Sequence, residues 1–179
     1  MVRKILIIGI IGFLLIMLSK KVTRNNAMNQ SPEEKQKDVI RALSDIIKKY
    51  GRQSAEIVEQ LFRLETAHFT SVQWKVCNTA GMEVFAKEFP YGWSTLKKYA
   101  DQNGLKASDF STYTMTENRT GKQKTFIVFP NAYTSFMFVA FLLNSRGWNA
   151  GSWYSTDPIK QMTYMAKLTA ITPKLTNAL

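Results

Sequence analysis

The sequence predicts an α+β chain, mainly helical, with one small β-hairpin wing and an N-terminal transmembrane helix. Three observations carry this expectation. Apolar residues recur at helical spacing in several capped segments, one pair of β-branched and aromatic runs flanks a glycine-containing turn, and an uncharged apolar stretch opens the chain. With 179 residues, 45% of them apolar, there is enough buried surface for one domain and too little for two ordinary ones.

The opening stretch, Ile5 to Leu18, is uncharged and lies between Arg3-Lys4 and Lys20-Lys21. It is short for a span, but no small-x-small cleavage site follows it, and the flanking basic side chains can snorkel to lengthen it. An uncleaved membrane anchor over 1–21 is expected, touching the lipid bilayer through residues 5–18. Basic residues stand on both sides, so charge leaves its orientation open. Residues 22–30 are polar without period and read as a tether, and 31–179 as the domain.

The first helix of the domain opens with Ser31 as N-cap, Pro32 at the first helical position and Glu34 closing a capping box, and runs through Val39, Leu43, Ile46 and Tyr50 to a stop at Gly51. A second amphipathic helix spans about 53 to 67. Its residues 57, 61, 65 and 68 form one narrow stripe at about 100° per residue, which puts Glu65 on the apolar side, while Glu56, Glu59 and Arg63 are expected to project into solvent. Thr70 to Trp93 has no clean period and reads as an ordered loop packed by its own aromatics, after which Ser94 caps a short helix through Tyr99. The runs "STYTMT" and "KTFIVF" around "ENRTGKQ" give the hairpin. The segment "AYTSFMFVAFLLNSRG" is apolar nearly all round, which marks a buried helix ending at Gly147. Asp157 and Pro158 then start a last helix, with Ile159, Met162, Met165 and Ala166 expected inward.

Composition narrows the chemistry. The single Cys77 forms no internal disulfide, and with His68 the only histidine no His/Cys cluster can hold zinc, so no metal and no cofactor are expected. The net charge of +11 suits an anionic partner such as nucleic acid, acidic lipid or a wall polymer, and equally a solvated basic surface. Specific nucleic-acid recognition is not expected, because no RNP-type strand or Gly-rich phosphate loop accompanies the charge.

Burial of Glu65 would disfavour its ionised form and raise its pKa, which suits a general acid working near neutral pH. The alternative is that it turns outward or pairs with a lysine. A glycosidase also needs a second carboxylate. Glu117 at the hairpin tip is one candidate, Glu83 and Glu88 are rivals, and Asp101 and Asp109 read as helix-end or turn residues. His68, one turn beyond Glu65, could tune the acid or be structural. Aromatics near Gly-containing loops, Trp74, Tyr91, Trp93, Trp148, Trp153 and Tyr154, can stack on sugars or fill a core, and Trp74, Trp93 and Trp153 are taken as candidate substrate contacts.

Three segments resemble one family, the glucosaminidase-type peptidoglycan hydrolases of the lysozyme-like superfamily. "LETAHFTSVQWKVCNTAGM" is similar to its helix-end glutamate and Asn-containing loop, "TENRTGKQKTFIVFPN" to its hairpin, and "WNAGSWYSTDPIKQMTYMAKL" to its Gly-x-Tyr-x-Thr-Asp-Pro signature with a Tyr-containing helix. The resemblance implies a lysozyme-like domain that hydrolyses β-1,4 bonds in peptidoglycan glycan strands. It further implies Glu65 as acid, Glu117 as its hairpin partner, Tyr154 as the active-site tyrosine and Asn78 as a substrate contact of the loop. The usual Glu-Ser-x-x-Gly is Glu65-Thr66-Ala67-His68-Phe69 here, and the Asn-x-Phe-Gly loop is Asn78-Thr79-Ala80-Gly81. Which bond is cut therefore stays open, and a lytic transglycosylase would need only Glu65. On a membrane anchor, such a domain would face the cell wall, in a bacterial envelope or in a virion membrane of a phage. A non-catalytic glycan-binding domain and a tethered nucleic-acid module are the readings from other classes. Oligomeric state is not legible.

Overall fold

The computed structural model describes residues 30–116 and 121–173; the expected anchor, the tether up to residue 29 and Glu117 lie outside the described residues. Ser31 starts α1 (Pro32–Tyr50) as the capping box demands, its hydroxyl accepting the Glu34 N–H at 3.2 Å while the Glu34 carboxylate accepts the Ser31 N–H at 2.8 Å. Gly51, at φ 90°, ends α1 and opens α2 (Arg52–Glu65). Gln30, the last tether residue by sequence, is already bonded to the domain: its amide donates to Asp38 and its carbonyl accepts from the Ala132 N–H.

Past α2 the chain forms α3 (Val72–Cys77), α4 (Ser94–Gln102), a short 3-10 turn at Ala107–Asp109, the antiparallel hairpin β1 (Ser111–Thr116) and β2 (Gln123–Val128), then α5 (Ala132–Ser145), α6 (Gly151–Tyr154) and α7 (Pro158–Thr169). The fold among the described residues is thus mainly helical with a two-stranded antiparallel sheet, Ser111 facing Val128 and Thr116 facing Gln123. Residues 82–84 add a short third rung on β2, where the Val84 N–H bonds Thr125 O at 2.8 Å and Ile127 N–H bonds Met82 O at 2.9 Å. Among the described residues no helix is long and apolar enough to cross a membrane.

The all-apolar α5 is central because it serves two cores at once. Phe136, Val139 and Leu143 join α1, α2 and α7 side chains, with Phe136 stacked on Phe62 at 3.8 Å, while Phe138 and Leu142 pack into a second cluster with Leu96, Tyr99, Ile127 and Phe129. Each fully buried side chain of this size contributes about 1.5–3 kcal/mol relative to exposure. Lys35 ties α1 to α3, its buried ammonium donating to the carbonyls of Trp74 and Lys75 at 2.9 and 2.7 Å, and burial draws its pKa down to about 8.

Five expectations are corrected. The stretch after Thr70 holds a helix, α3, which Ser71 caps through the Trp74 N–H; six residues are too few to show a period. Helix α2 stops at Glu65 rather than 67, and α4 begins at Ser94 with Trp93 as N-cap and continues to Gln102. Glu59 and Arg63 do not project into solvent: they are 0% and 8% exposed and pair at 2.8 Å, because the chain after α2 folds Phe69 over the Arg63 guanidinium and covers that flank. On α7 the inward residues are Tyr164 and Leu168, whereas Ile159 and Met162 are 75% and 73% exposed and Ala166 is also exposed; only Met165 of the expected set packs on the core.

Candidate active site

Glu65 is the last residue of α2, and the turn that follows explains how it is presented. Thr66 donates its hydroxyl to Phe62 O and accepts the Phe69 N–H at 2.9 Å, while its own carbonyl accepts the N–H groups of Thr70 and Ser71. Within this loop Ala67, His68 and Phe69 all hold left-handed backbone, at φ 48°, 56° and 69°. Three successive non-glycine residues in that region store strain, which the Thr66 bonds and the core packing of Phe69 offset. Ending the helix so abruptly leaves the Glu65 side chain at the edge of the core, half-buried and facing a cleft.

That cleft, about 410 Å³, is lined by Leu64, Glu65, Tyr154, Lys160, Thr163, Tyr164 and Lys167. The Tyr164 hydroxyl donates to Glu65 Oε1 at 2.7 Å. Burial raises the Glu65 pKa above the ordinary carboxylate value, and the Tyr164 hydrogen bond opposes part of that rise. Tyr164 itself is pushed up, by desolvation first and then by the Glu65 charge, so it stays a neutral donor. Because Oε1 accepts from Tyr164, the neutral carboxyl carries its proton on Oε2, which points over Gly81: a Cβ placed on that glycine would lie 3.8 Å from it. The arrangement is that of a carboxyl whose charged form burial disfavours and which one tyrosine hydroxyl orients at Oε1.

Tyr154 stacks on Tyr164 at 5.3 Å and 8° between planes, with 61% of its own surface exposed in the cleft. Trp153, its neighbour, faces Trp93 at 6.5 Å, and Phe85 follows Trp93 at 5.7 Å. Trp93 and Trp153 are both half-buried, and the Trp93 indole donates to Glu83 O at 2.8 Å. The structure therefore brings Glu65 and Tyr154 together in one cleft, while Trp93 and Trp153, tilted by 33°, pair against the second core cluster outside the residues that line it. Tyr164, which touches the acid, was missed by sequence reasoning; the signal was its place in the Tyr-containing helix of the closing motif.

Two expected contacts are corrected. Trp74 is 5% exposed and wedged among Phe62, Phe69 and Phe136, so it is a core residue rather than a sugar platform. Asn78 is fully buried in left-handed conformation at the end of α3 and reaches Phe129 O with its amide, a structural cap and not a cleft residue. Among the rival carboxylates, Glu83 pairs with Lys124 at 2.6 Å, Asp101 with Lys97 at 2.7 Å, and Asp109 caps the 3-10 turn. Glu88 and His68 are exposed, and the His68 N–H bonds the Arg63 carbonyl at 2.8 Å. The Cys77 thiol is buried and pushed up to about 12, so it offers no thiolate nucleophile. Among the described residues no His/Cys/Asp/Glu group could hold a metal ion.

A second cleft, about 490 Å³, lies on the hairpin side, lined by Ala67, Thr70, Ser71, Val72, Gln73, Met115, Thr116 and Phe126. Compared with protein-family models, curated proteins and solved structures, the chain matches none.

Proposed function

We propose that the chain is a membrane-anchored peptidoglycan hydrolase with a lysozyme-like domain, cleaving β-1,4 bonds of the wall glycan with Glu65 as general acid. The observation that carries this is the condition of Glu65: a helix-end carboxyl lining a cleft, its pKa raised by desolvation, and oriented at Oε1 by one tyrosine hydroxyl. A linear polymer needs room for sugars beside the bond being cut, which suits the cleft of about 410 Å³ at Glu65. Lys160 and Lys167 on the cleft wall suit the carboxylates of peptidoglycan, and the aromatic pair of Trp93 and Trp153 suits sugar faces. The resembled Glu-Ser-x-x-Gly pattern also finds support in Phe69, which occupies the glycine position at φ 69°, a conformation glycine adopts freely.

In the proposed reaction Glu65 Oε2 gives its proton to the glycosidic oxygen as the C1–O bond breaks, and the departing sugar leaves as an alcohol. Glu117, which follows Thr116 of the hairpin-side cleft in sequence, would stabilise the oxocarbenium-like transition state or take a proton from the attacking water. Tyr154 would position the sugar. Residues 1–21 would hold the domain at a bacterial or virion membrane, facing the wall.

A lytic transglycosylase is the second reading, favoured by one observation: among the described residues Glu65 is the one carboxylate lining either cleft. Digestion of purified peptidoglycan by the full chain in detergent, beside Glu65→Gln and Glu117→Gln, with mass spectrometry of the fragments, tests both. New reducing-end GlcNAc lost in Glu65→Gln is expected; reducing-end MurNAc would make the enzyme a muramidase, and anhydro ends a transglycosylase. No release by the folded wild type from several wall types would overturn the enzymatic reading.

A further inference from the structure

Gln73 lies on α3, half-buried, and its side chain makes no hydrogen bond to any described residue. Its carboxamide oxygen comes within 3.8 Å of the position a Cβ on Gly81 would take, the same distance at which Glu65 Oε2 stands from that point. Two polar atoms, Gln73 Oε1 and Glu65 Oε2, thus converge over one glycine, on the side of the acid away from Tyr164. Gly81 holds φ +89°, and it keeps the space between them empty. Leaving a half-buried amide unbonded costs stability unless water or a ligand satisfies it. Gln73 also lines the hairpin-side cleft, and Glu65 lines the other.

We propose that Gln73 is a substrate-positioning residue whose carboxamide bonds the hydroxyl or acetamido group of the sugar beside the scissile bond and holds the glycosidic oxygen at Glu65 Oε2. This rests on the glycan-hydrolase reading and adds a polar arm to it. The carboxamide is both donor and acceptor, which matches the mixed hydroxyl and acetamido edge of an N-acetylhexosamine. A neutral group is required at this place, since a carboxylate would raise the pKa of Glu65 further by charge repulsion.

The test is Gln73→Met, nearly isosteric and equally helix-compatible, in the full chain with purified peptidoglycan. The expected result is a kcat lower by about 10- to 100-fold with KM little changed, the size of a lost orienting contact, and a melting temperature equal to wild type. A merely structural role would lower the melting temperature and leave kcat intact. Gln73→Glu adds a readout free of substrate: the Glu65 carboxyl, followed by NMR titration, should ionise at higher pH than in wild type. An active wild type with Gln73→Met indistinguishable from it, or no change in the Glu65 titration in Gln73→Glu, would overturn the assignment alone. A wild type that releases nothing from peptidoglycan would remove the hydrolase reading and this role together.

Discussion

Replacing Tyr164 by Phe removes one hydroxyl from the site and leaves the ring stacked on Tyr154. The hydroxyl donates to Glu65 Oε1 at 2.7 Å, and it is the one contribution that favours the ionised form against desolvation. A hydrogen bond between neutral groups contributes about 1 kcal/mol, and one to a charged acceptor about 1.5–3 kcal/mol. Glu65 is partly exposed, so solvent screening holds the charged value near its lower end. The variant should therefore lose about 2–4 °C of melting temperature at acid pH, where Glu65 is neutral in both states, and roughly one and a half times that at alkaline pH, where it is charged. With the stabilising donor gone, the Glu65 pKa rises further. The acid must be protonated to act, so the alkaline limb of the kcat/KM profile moves to higher pH. Thermal unfolding across a pH series gives the first result and the pH–rate profile the second. An equal loss of stability at every pH, or a limb that stays put or moves down, would refute the claim that Tyr164 holds the acid.

Glu65→Gln should abolish at least about 100-fold of activity, the usual contribution of a general acid, yet stabilise the fold. The folded-state pKa is raised, so the native protein binds this proton more tightly than the unfolded chain; the penalty for the buried charge is absent below the ordinary carboxylate range and grows as pH climbs through the folded value. The variant should thus unfold at higher temperature than wild type at alkaline pH and lose that advantage at acid pH. Arg63→Ala removes the guanidinium facing the fully buried Glu59 carboxylate and should cost about 3–5 kcal/mol in denaturant unfolding, while a joint apolar replacement of both residues should recover most of it. Gly151→Ala puts a Cβ 2.8 Å from Gln161 Cβ and 3.1 Å from its carbonyl oxygen, so α6 must move off α7. A loss of about 1–3 kcal/mol, with altered near-UV circular dichroism from the Tyr154–Tyr164 stack, is expected.

Local chemistry was enough to read most elements. The capping box at Ser31, the prolines at 32 and 158 after their N-caps, and the two strands around Gly121 follow from bonds that near neighbours in sequence make, and each stands where expected. The all-apolar character of residues 132–145 likewise foretold a central helix, since no exposed face could tolerate it. The position of Glu65 on the apolar side of its helix was also legible, because it depends on helical periodicity alone.

What periodicity could not decide was which flank a later segment covers. Glu59 and Arg63 look solvated on a helical wheel, and become buried only because the left-handed turn at 67–69 brings Phe69 back over them. The same turn, held by Thr66, sends Trp74 into the core and Gln73 toward the acid, a division between adjacent residues that their types do not announce. Tyr164 and Glu65 lie 99 positions apart, and their bond exists only because α7 docks on α2. The sequence by itself determined the longer helices, the hairpin and the candidate acid, since these rest on short-range spacing and capping. Tertiary structure alone decided what surrounds that acid, because desolvation and hydrogen-bond partners come from chain segments distant in sequence.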